Sequence, residues 1–547
     1  MKKMNKILSL LALATVFVLT SCIDETFPES DSATQEQVEA TSSALESTLR
    51  GISSKMVEGY MVYGDQTHET DMAYPQLMLA QTEMLGDVFP GGDPGYDWYA
   101  NYNTFVRNFG DNSYMSYLPF FTLYQFIKSA NDVIGSIDLE TADTKFKGMA
   151  GQAFAARAFF YYYVMVLFEP VENIYTDVSK VKGLTGPIVT EKTTSDESKN
   201  NPRVSHEEMM KFILADLDQA EALLNSDYEP ESKGLPDLAV TYGLKAKVYL
   251  WNEDYANAAK YARMAIDLAT ANGAKPMTAT EWESPSSAFA VATSGWMWYL
   301  HYDAENMRNL ANWTGWISPE AQWSYAQLYL PCIDKSLYDK IGETDFRKHS
   351  FLNPARYDYY DYQTAMGKQW VEEVAPDYCA LKFRCVSGNT DDYAVGGTSD
   401  VPVMRIEEMY LIEAEAIGVT EGFEAGKAKL QDFMVNYRDP NYVCRSLDLR
   451  SFQLEVLTQM RIEFWGEGNA FPSAKRLKPD VIQNYDGTNA PDDNYKINCK
   501  GIKPNWNLCI PIYEINSNRA IKDHNNPDPT KVVTGPTPIG TFAAGNY

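Results

Sequence analysis

The chain has 547 residues, of which 45% are hydrophobic and 13% aromatic, and carries a formal charge of −27. That composition supplies a large interior, and the length would ordinarily divide into roughly two to four domains. A field so negative repels phosphate backbones and anionic lipid heads, which excludes nucleic acid as a natural partner.

Residues 1–21 have a basic start (Lys2, Lys3, Lys6), an apolar centre from Ile7 to Leu19 and a small polar end, the pattern of a secretory signal peptide. The centre is 13 residues long, short of the roughly 20 that cross a bilayer as a helix. Leu19-Thr20-Ser21-Cys22 has the form of a bacterial lipobox, so Cys22 is the expected lipid attachment point. Asp24 and Glu25 behind it fit an export signal to the outer face of an outer membrane. Without the leader 526 residues remain, and losing its three lysines takes the charge from −27 to −30.

Beyond the leader the sequence is mostly helical in period. A first aromatic loop, FPGGDPGYDWYANYNTF, carries Trp98, Tyr99 and Tyr102 and interrupts the early helices. The run FFYYYVMVLF at 159–168 has the length of a buried helix segment. In SHEEMM at 205–210, Met210 stands where a zinc-protease helix needs its second histidine. Ala246, Tyr249, Tyr255, Ala258, Ala262 and Ala265 follow steps of 3, 6, 3, 4 and 3, the spacing of a tetratricopeptide unit in which small residues let two antiparallel helices approach. The same steps recur at Ala414, Ile417, Phe423, Gly426, Leu430 and Phe433.

The two units lie 168 residues apart, whereas a continuous array repeats about every 34, so an insertion separates them. Between residues 272 and 403 the helical period fades, and seven of the eleven tryptophans appear: Trp282, Trp296, Trp298, Trp313, Trp316, Trp323 and Trp370. The expected organisation is a leader at 1–21, a helical region at 22–271, an aromatic loop-rich insertion at 272–403 and a closing region at 404–547.

A sugar ring offers an apolar C–H face and a hydroxyl rim, so its site needs flat aromatic platforms flanked by acids, amides or arginines. The candidate platforms are Trp98 and Tyr99 from the first loop and Trp296, Trp298, Trp313, Trp316, Tyr359 and Trp370 from the insertion. The competing expectation for each ring is a place in the insertion's own core.

Six cysteines follow Cys22, at 332, 379, 385, 444, 499 and 509. YCALKFRCV alternates like a strand, which would hold Cys379 and Cys385 roughly 20 Å apart and unable to pair. Cys499 and Cys509 flank a segment able to turn back, so a bridge between them is expected. No spacing is C-x-x-C, which leaves a zinc site weakly supported. NYDGTNAPDDN at 484–494 has the oxygens for a structural calcium, though a solvated acidic turn is the simpler reading. Neither a G-x-S-x-G, a phosphate loop nor a dinucleotide glycine pattern occurs, and five histidines supply little imidazole chemistry.

Four stretches resemble the SusD/RagB family of surface nutrient-uptake lipoproteins: RAFFYYYVMVLFEPV from Arg157, MRIEEMYLIEAEA from Met404, MRIEFWGEGNAFPSAKR from Met460 and LCIPIYEINSN from Leu508. Asn469 and Pro472-Ser473 depart from the family's usual arginine and acidic pair. The resemblance implies a mainly α fold of tetratricopeptide-like pairs in a right-handed superhelix, with no catalysis and no required cofactor. It also implies an anchor in the outer membrane facing the exterior. There the protein would capture oligosaccharide and close as a lid on a TonB-dependent SusC-like transporter. Within the same fold, a RagB-like lid would take peptide instead, and a surface glycoside hydrolase is the remaining alternative.

Overall fold

The computed structural model describes residues 35–59, 72–104, 109–225, 228–305, 312–361 and 363–531, so the leader and Cys22 lie outside the described residues. Residues 1–47 and 48–547 are two units, the first contributing the opening turns of α1 (Gln35–Val57). The second holds every other element. Its long helices are α2 (Tyr74–Leu85), α3 (Tyr114–Gly135), α4 (Thr144–Phe168), α5 (His206–Leu224), α6 (Leu238–Trp251), α7 (Tyr255–Ala271), α8 (Ile406–Thr420), α9 (Phe423–Tyr437) and α10 (Leu449–Glu463).

Side-chain caps start most of them. Asp143, Asp237 and Asp254 each accept from a backbone N–H one turn into α4, α6 and α7, and Ser205 with Glu208 closes a capping box on α5. Helix α4 is apolar all round and is buried without interruption from Gly148 to Phe168, which makes it the central helix. It packs between α3 and α5, while α6 pairs with α7 and α8 with α9. Both expected helical hairpins are therefore present. Ala246, Ala258, Ala262, Ala265 and Ala414 are fully buried, and a Cβ on Gly426 would come within 2.6 Å of the Gly418 Cα, so the close approach of α8 and α9 requires glycine there. Despite the 134 residues between the two hairpins, α7 packs directly on α8.

Three short antiparallel ladders shape the excursion and its surroundings. Strand β1 (Val88–Pro90) pairs with β3 (Pro331–Ile333), and β2 (Trp296–His301) pairs with β4 (Asp400–Arg405). The third ladder joins β5 (Val481–Ile482) to β6 (Asn498–Cys499).

A buried charge cluster ties the helical frame to the insertion. Glu463, at the end of α10, accepts hydrogen bonds from Arg347 (3.0 Å), Arg405 (2.9 Å) and Arg438 (2.8 Å). Glu467 accepts from Arg405 and Lys382, Glu407 from Arg438, and Asp345 from Arg347. Four cations face four carboxylates, all of them buried. Burial alone would raise the Glu463 pKa, but Arg438, Arg405 and Arg347 hold it well below the usual carboxylate range. Arg405 and Arg438 also lie over the Trp282 ring, 5.6 and 5.3 Å from its centroid. Two of the family-like stretches thus meet in one place, Arg405 and Glu407 from the first and Glu463 and Glu467 from the second. The departure at Asn469 is accommodated by a hydrogen bond to Glu408, itself paired with Lys247.

The cysteine expectations come out unevenly. YCALKFRCV is not a strand; only Cys379 and Ala380 make isolated bridges. The six described cysteines are buried free thiols, and no Cys499–Cys509 bridge is present. Cys499 lies in β6, while the Cys509 thiol faces the carbonyl oxygens of Asn526 (3.5 Å) and Pro527 (3.6 Å), so the intervening residues do not bring the sulfurs together.

His206 belongs to packing. Its Nδ1 lies 2.9 Å from Glu169 Oε2, and its Nε2 lies 3.0 Å from Asn252 Oδ1, clipping the start of α5 to the ends of α4 and α6. The hydrogen bond to Glu169 outweighs burial and pushes the imidazole up to about 9. A pKa raised from its unfolded value near 6.5 adds stability that is complete below pH 6.5 and disappears as pH climbs through 9, about 1–2 kcal/mol after discounting partial exposure. Thermal unfolding followed between pH 6 and 9.5 should show that decline in the native chain and a flatter profile in His206→Gln.

Candidate aromatic binding surface

The first aromatic loop is held in place by distant segments. Three consecutive N–H groups extend the β1–β3 pairing: Gly91 donates to Leu330 O (3.0 Å), Gly92 to Tyr329 O (2.8 Å) and Asp93 to Leu328 O (2.9 Å). From beneath, Asn103 donates to Val88 O, Lys503 to Asn103 O and Asn505 to Tyr102 O. The loop and the insertion therefore share one face.

On that face Tyr96 stacks on Tyr325 (6.5 Å, 26°), and Trp98 meets Tyr325 edge-on (6.0 Å, 83°). Tyr325 in turn stacks on buried Trp316 (4.9 Å, 18°), which Tyr99 meets edge-on (5.2 Å, 75°). The series runs from solvent into the core, so the outer rings are positioned by inner ones. Tyr96 is 38% exposed, and Trp98, Trp323 and Tyr325 are half-buried. Trp323 packs over the backbone of Gly396, in the short helix Tyr393–Gly396 that also exposes Tyr393 and Val395. Polar groups edge the rings: Gln322 donates to Thr390 Oγ1 (3.0 Å) and Asp391 Oδ1 (2.7 Å), and Gln327 donates to the Gln322 carbonyl (2.6 Å). Flat rings bordered by amides and a carboxylate suit a ligand with apolar ring faces and hydroxyl edges.

The structure sorts the eight candidate platforms. Trp98 lies in the surface cluster, and Tyr99 and Trp316 sit directly behind it, buried. Trp296, Trp298 and Trp313 are interior: Trp298 lies 4.8 Å from the Phe159 ring and Trp313 5.4 Å from Phe383, while Trp296 donates its indole N–H toward the Met277 sulfur. Both faces of β2 are covered, so alternation along it does not mark one face for a ligand. Trp370, 8% exposed, anchors a separate apolar cluster with Leu352, Tyr360 and Val371, against which Tyr359 packs. Six of the eight thus lack a free face for a sugar ring, Trp98 and Tyr359 being the partly open ones.

Tyr96, Trp323 and Tyr325 are not among the eight candidate platforms. The available signal was local: in AQWSYAQ at 321–327 two rings stand two residues apart among polar neighbours. What placed them opposite the first loop is the long-range ladder to residues 328–330.

Other concavities exist. One of about 320 Å³ lies beside Asp334, Arg461 and Tyr485, and one of about 400 Å³ is walled by Tyr117, Phe121 and Tyr513. Neither is built from both aromatic loop systems. Among the described residues no group of three or more His, Cys, Asp or Glu side chains could hold a metal ion, the 484–494 segment included. In that segment Asn489 is engaged by the Lys335 N–H and the Ile333 carbonyl.

Gly92 admits a direct test of the loop's placement. A Cβ there would lie 2.2 Å from the Leu328 carbonyl oxygen, so Gly92→Ala must part the ladder, at about 1–3 kcal/mol. Differential scanning calorimetry should record that loss, and the affinity of any ligand held by Tyr96 and Trp98 should fall several-fold with it.

A SusD-like family model, described as starch-binding and associating with the outer membrane, matches residues 93–250. Among solved structures, a SusD-like carbohydrate-binding protein from Bacteroides vulgatus superposes with a TM-score of 0.68 at 20% identity, covering 88% of this chain and 98% of that one. A surface glycan-binding protein A from Bacteroides thetaiotaomicron, in complex with laminarihexaose, matches with a TM-score of 0.61 at 15% identity over 88% of this chain and 99% of its own. A laminarin-binding SusD-like protein matches at 0.60 and 18% identity, over 89% and 99%. No curated protein sequence matches the chain significantly. No described helix is long and apolar enough to cross a membrane.

Proposed function

From the premise that the chain is SusD-like, by the family model over residues 93–250 and by fold over 88% of its length, we propose that it is a non-catalytic glycan-binding protein of the cell surface. It would capture oligosaccharide on the face formed by Tyr96, Trp98, Trp323 and Tyr325. The observation that carries this reading is the meeting of two loop systems, with Tyr96 and Tyr325 229 positions apart in sequence, in one ordered series of rings whose outer members remain open. Anchorage through Cys22 and delivery to a TonB-dependent SusC-like transporter, over which the protein acts as a lid, belong to the same reading. The laminarin ligands of two proteins with this fold make β-glucans the first class to try.

Each aromatic stack contributes about 0.5–1.5 kcal/mol, so three stacks with a few hydrogen bonds place Kd on the order of micromolar to millimolar. Isothermal titration of the protein without its leader, against plant, host and microbial polysaccharides with a protein hydrolysate in parallel, tests this. Binding confined to one glycan class supports the proposal. Heat from the hydrolysate alone would replace glycan by peptide, and release of reducing ends on prolonged incubation with a bound glycan would make the protein a hydrolase.

A further inference from the structure

Cys332, in β3, and Cys379 form an isolated antiparallel bridge on the side of β3 away from β1. The Ile333 N–H donates to Tyr378 O (3.1 Å) and the Ala380 N–H donates to Pro331 O (2.8 Å). Those bonds flank the cysteines, which makes them a non-hydrogen-bonded pair, the closer of the two antiparallel types, with Cα atoms about 4.5 Å apart and side chains on the same face. That separation falls within the range a disulfide spans. Both residues belong to one apolar cluster with Leu330, Leu352 and Trp370 and are 2% and 0% exposed. The thiols lie against each other: burial first, and contact with Cys332 next, raise the Cys379 thiol well above its ordinary value.

We infer that Cys332 and Cys379 are joined by a disulfide when the chain folds in the presence of a disulfide oxidant, and that no other pair is. The Cys332 thiolate attacks one sulfur of the oxidant and expels the other half as a thiolate. The Cys379 thiolate then attacks Cys332 Sγ in the mixed disulfide and expels the second half. One S–S bond forms and one breaks, two electrons pass to the oxidant, and the two protons from the cysteines end on its released thiols. The exchange precedes burial, because the folded cluster shuts both sulfurs from solvent. The link closes a loop of 46 intervening residues. It also fixes β3 where it meets the first aromatic loop, the Cys332 sulfur lying 2.6 Å from where a Gly91 Cβ would stand.

The remaining thiols lack such partners in the described structure: Cys385 faces the Ser318 hydroxyl at 3.9 Å, Cys444 faces the Ser446 hydroxyl at 3.6 Å, and Cys499 and Cys509 sit in separate segments. The inference does not depend on which ligand the protein binds. It is tested on the full chain refolded from denaturant in reduced and oxidised glutathione, then denatured, treated with iodoacetamide and mapped by mass spectrometry. The expected result is one cross-linked peptide pair containing Cys332 and Cys379, with the other cysteines alkylated. Alkylation of both residues, or a different linkage, overturns it. Because the mapping uses the native sequence, it does not rely on any variant folding.

Discussion

Replacing Tyr96 and Trp98 together by alanine is expected to weaken glycan binding about 5- to 150-fold, two stacks at about 0.5–1.5 kcal/mol each. The unfolding midpoint should hardly move, since Tyr96 is open to solvent and Trp98 half-buried. Two control substitutions give the result its meaning. Trp298→Ala removes a fully buried ring against Phe159 and should lower stability by about 3–5 kcal/mol. Tyr513→Ala strips the most exposed ring of the other aromatic groove and should leave affinity unchanged. Titration and calorimetry on the same three proteins separate platform from core. An affinity loss with Tyr513→Ala and none with the double variant would move the site to the groove of Tyr117 and Phe121.

Glu463→Gln is expected to cost as much stability as Trp298→Ala, by a different route. It leaves Arg347, Arg405 and Arg438 with one carboxylate fewer in a place water does not reach, and breaking a buried ion cluster from one side costs about 3–5 kcal/mol. Denaturant unfolding measures it. Hydrogen exchange should also show faster opening around residues 345–351 and 382–384, because Arg347 and Lys382 are the insertion's attachments to this cluster. A loss below about 1 kcal/mol would mean that water enters and solvates the freed arginines.

The helical frame was legible because its signal is local. Alanines at steps of three and four mark the sides on which helices touch, and α6–α7 and α8–α9 pair on those residues. The family-like stretches were also legible, though their arginines and glutamates are spent inside the protein and not on a ligand. The candidate aromatic surface was only half legible. Trp98 and Trp298 are the same residue type in loop-rich surroundings, and what separates them is whether another segment covers the ring. Phe159, 139 positions away, covers Trp298. Trp98 touches Tyr325 and remains partly open. Composition locates the rings, but pairing between β1 and β3 decides which of them face outward.

The β2–β4 ladder has an evolutionary consequence. With His301 opposite Asp400 and Trp296 opposite Arg405, the chain leaves the frame and returns to it at one point. Residues 302–399 therefore form a cassette whose length and shape can be exchanged without re-registering α7 on α8. The exchange has two conditions: a strand to pair with β1, as β3 does, and the cations Arg347 and Lys382, which complete the cluster around Glu463 and Glu467. A transplanted cassette must bring two cations of its own to that spot, whatever ligand its outer surface is shaped for.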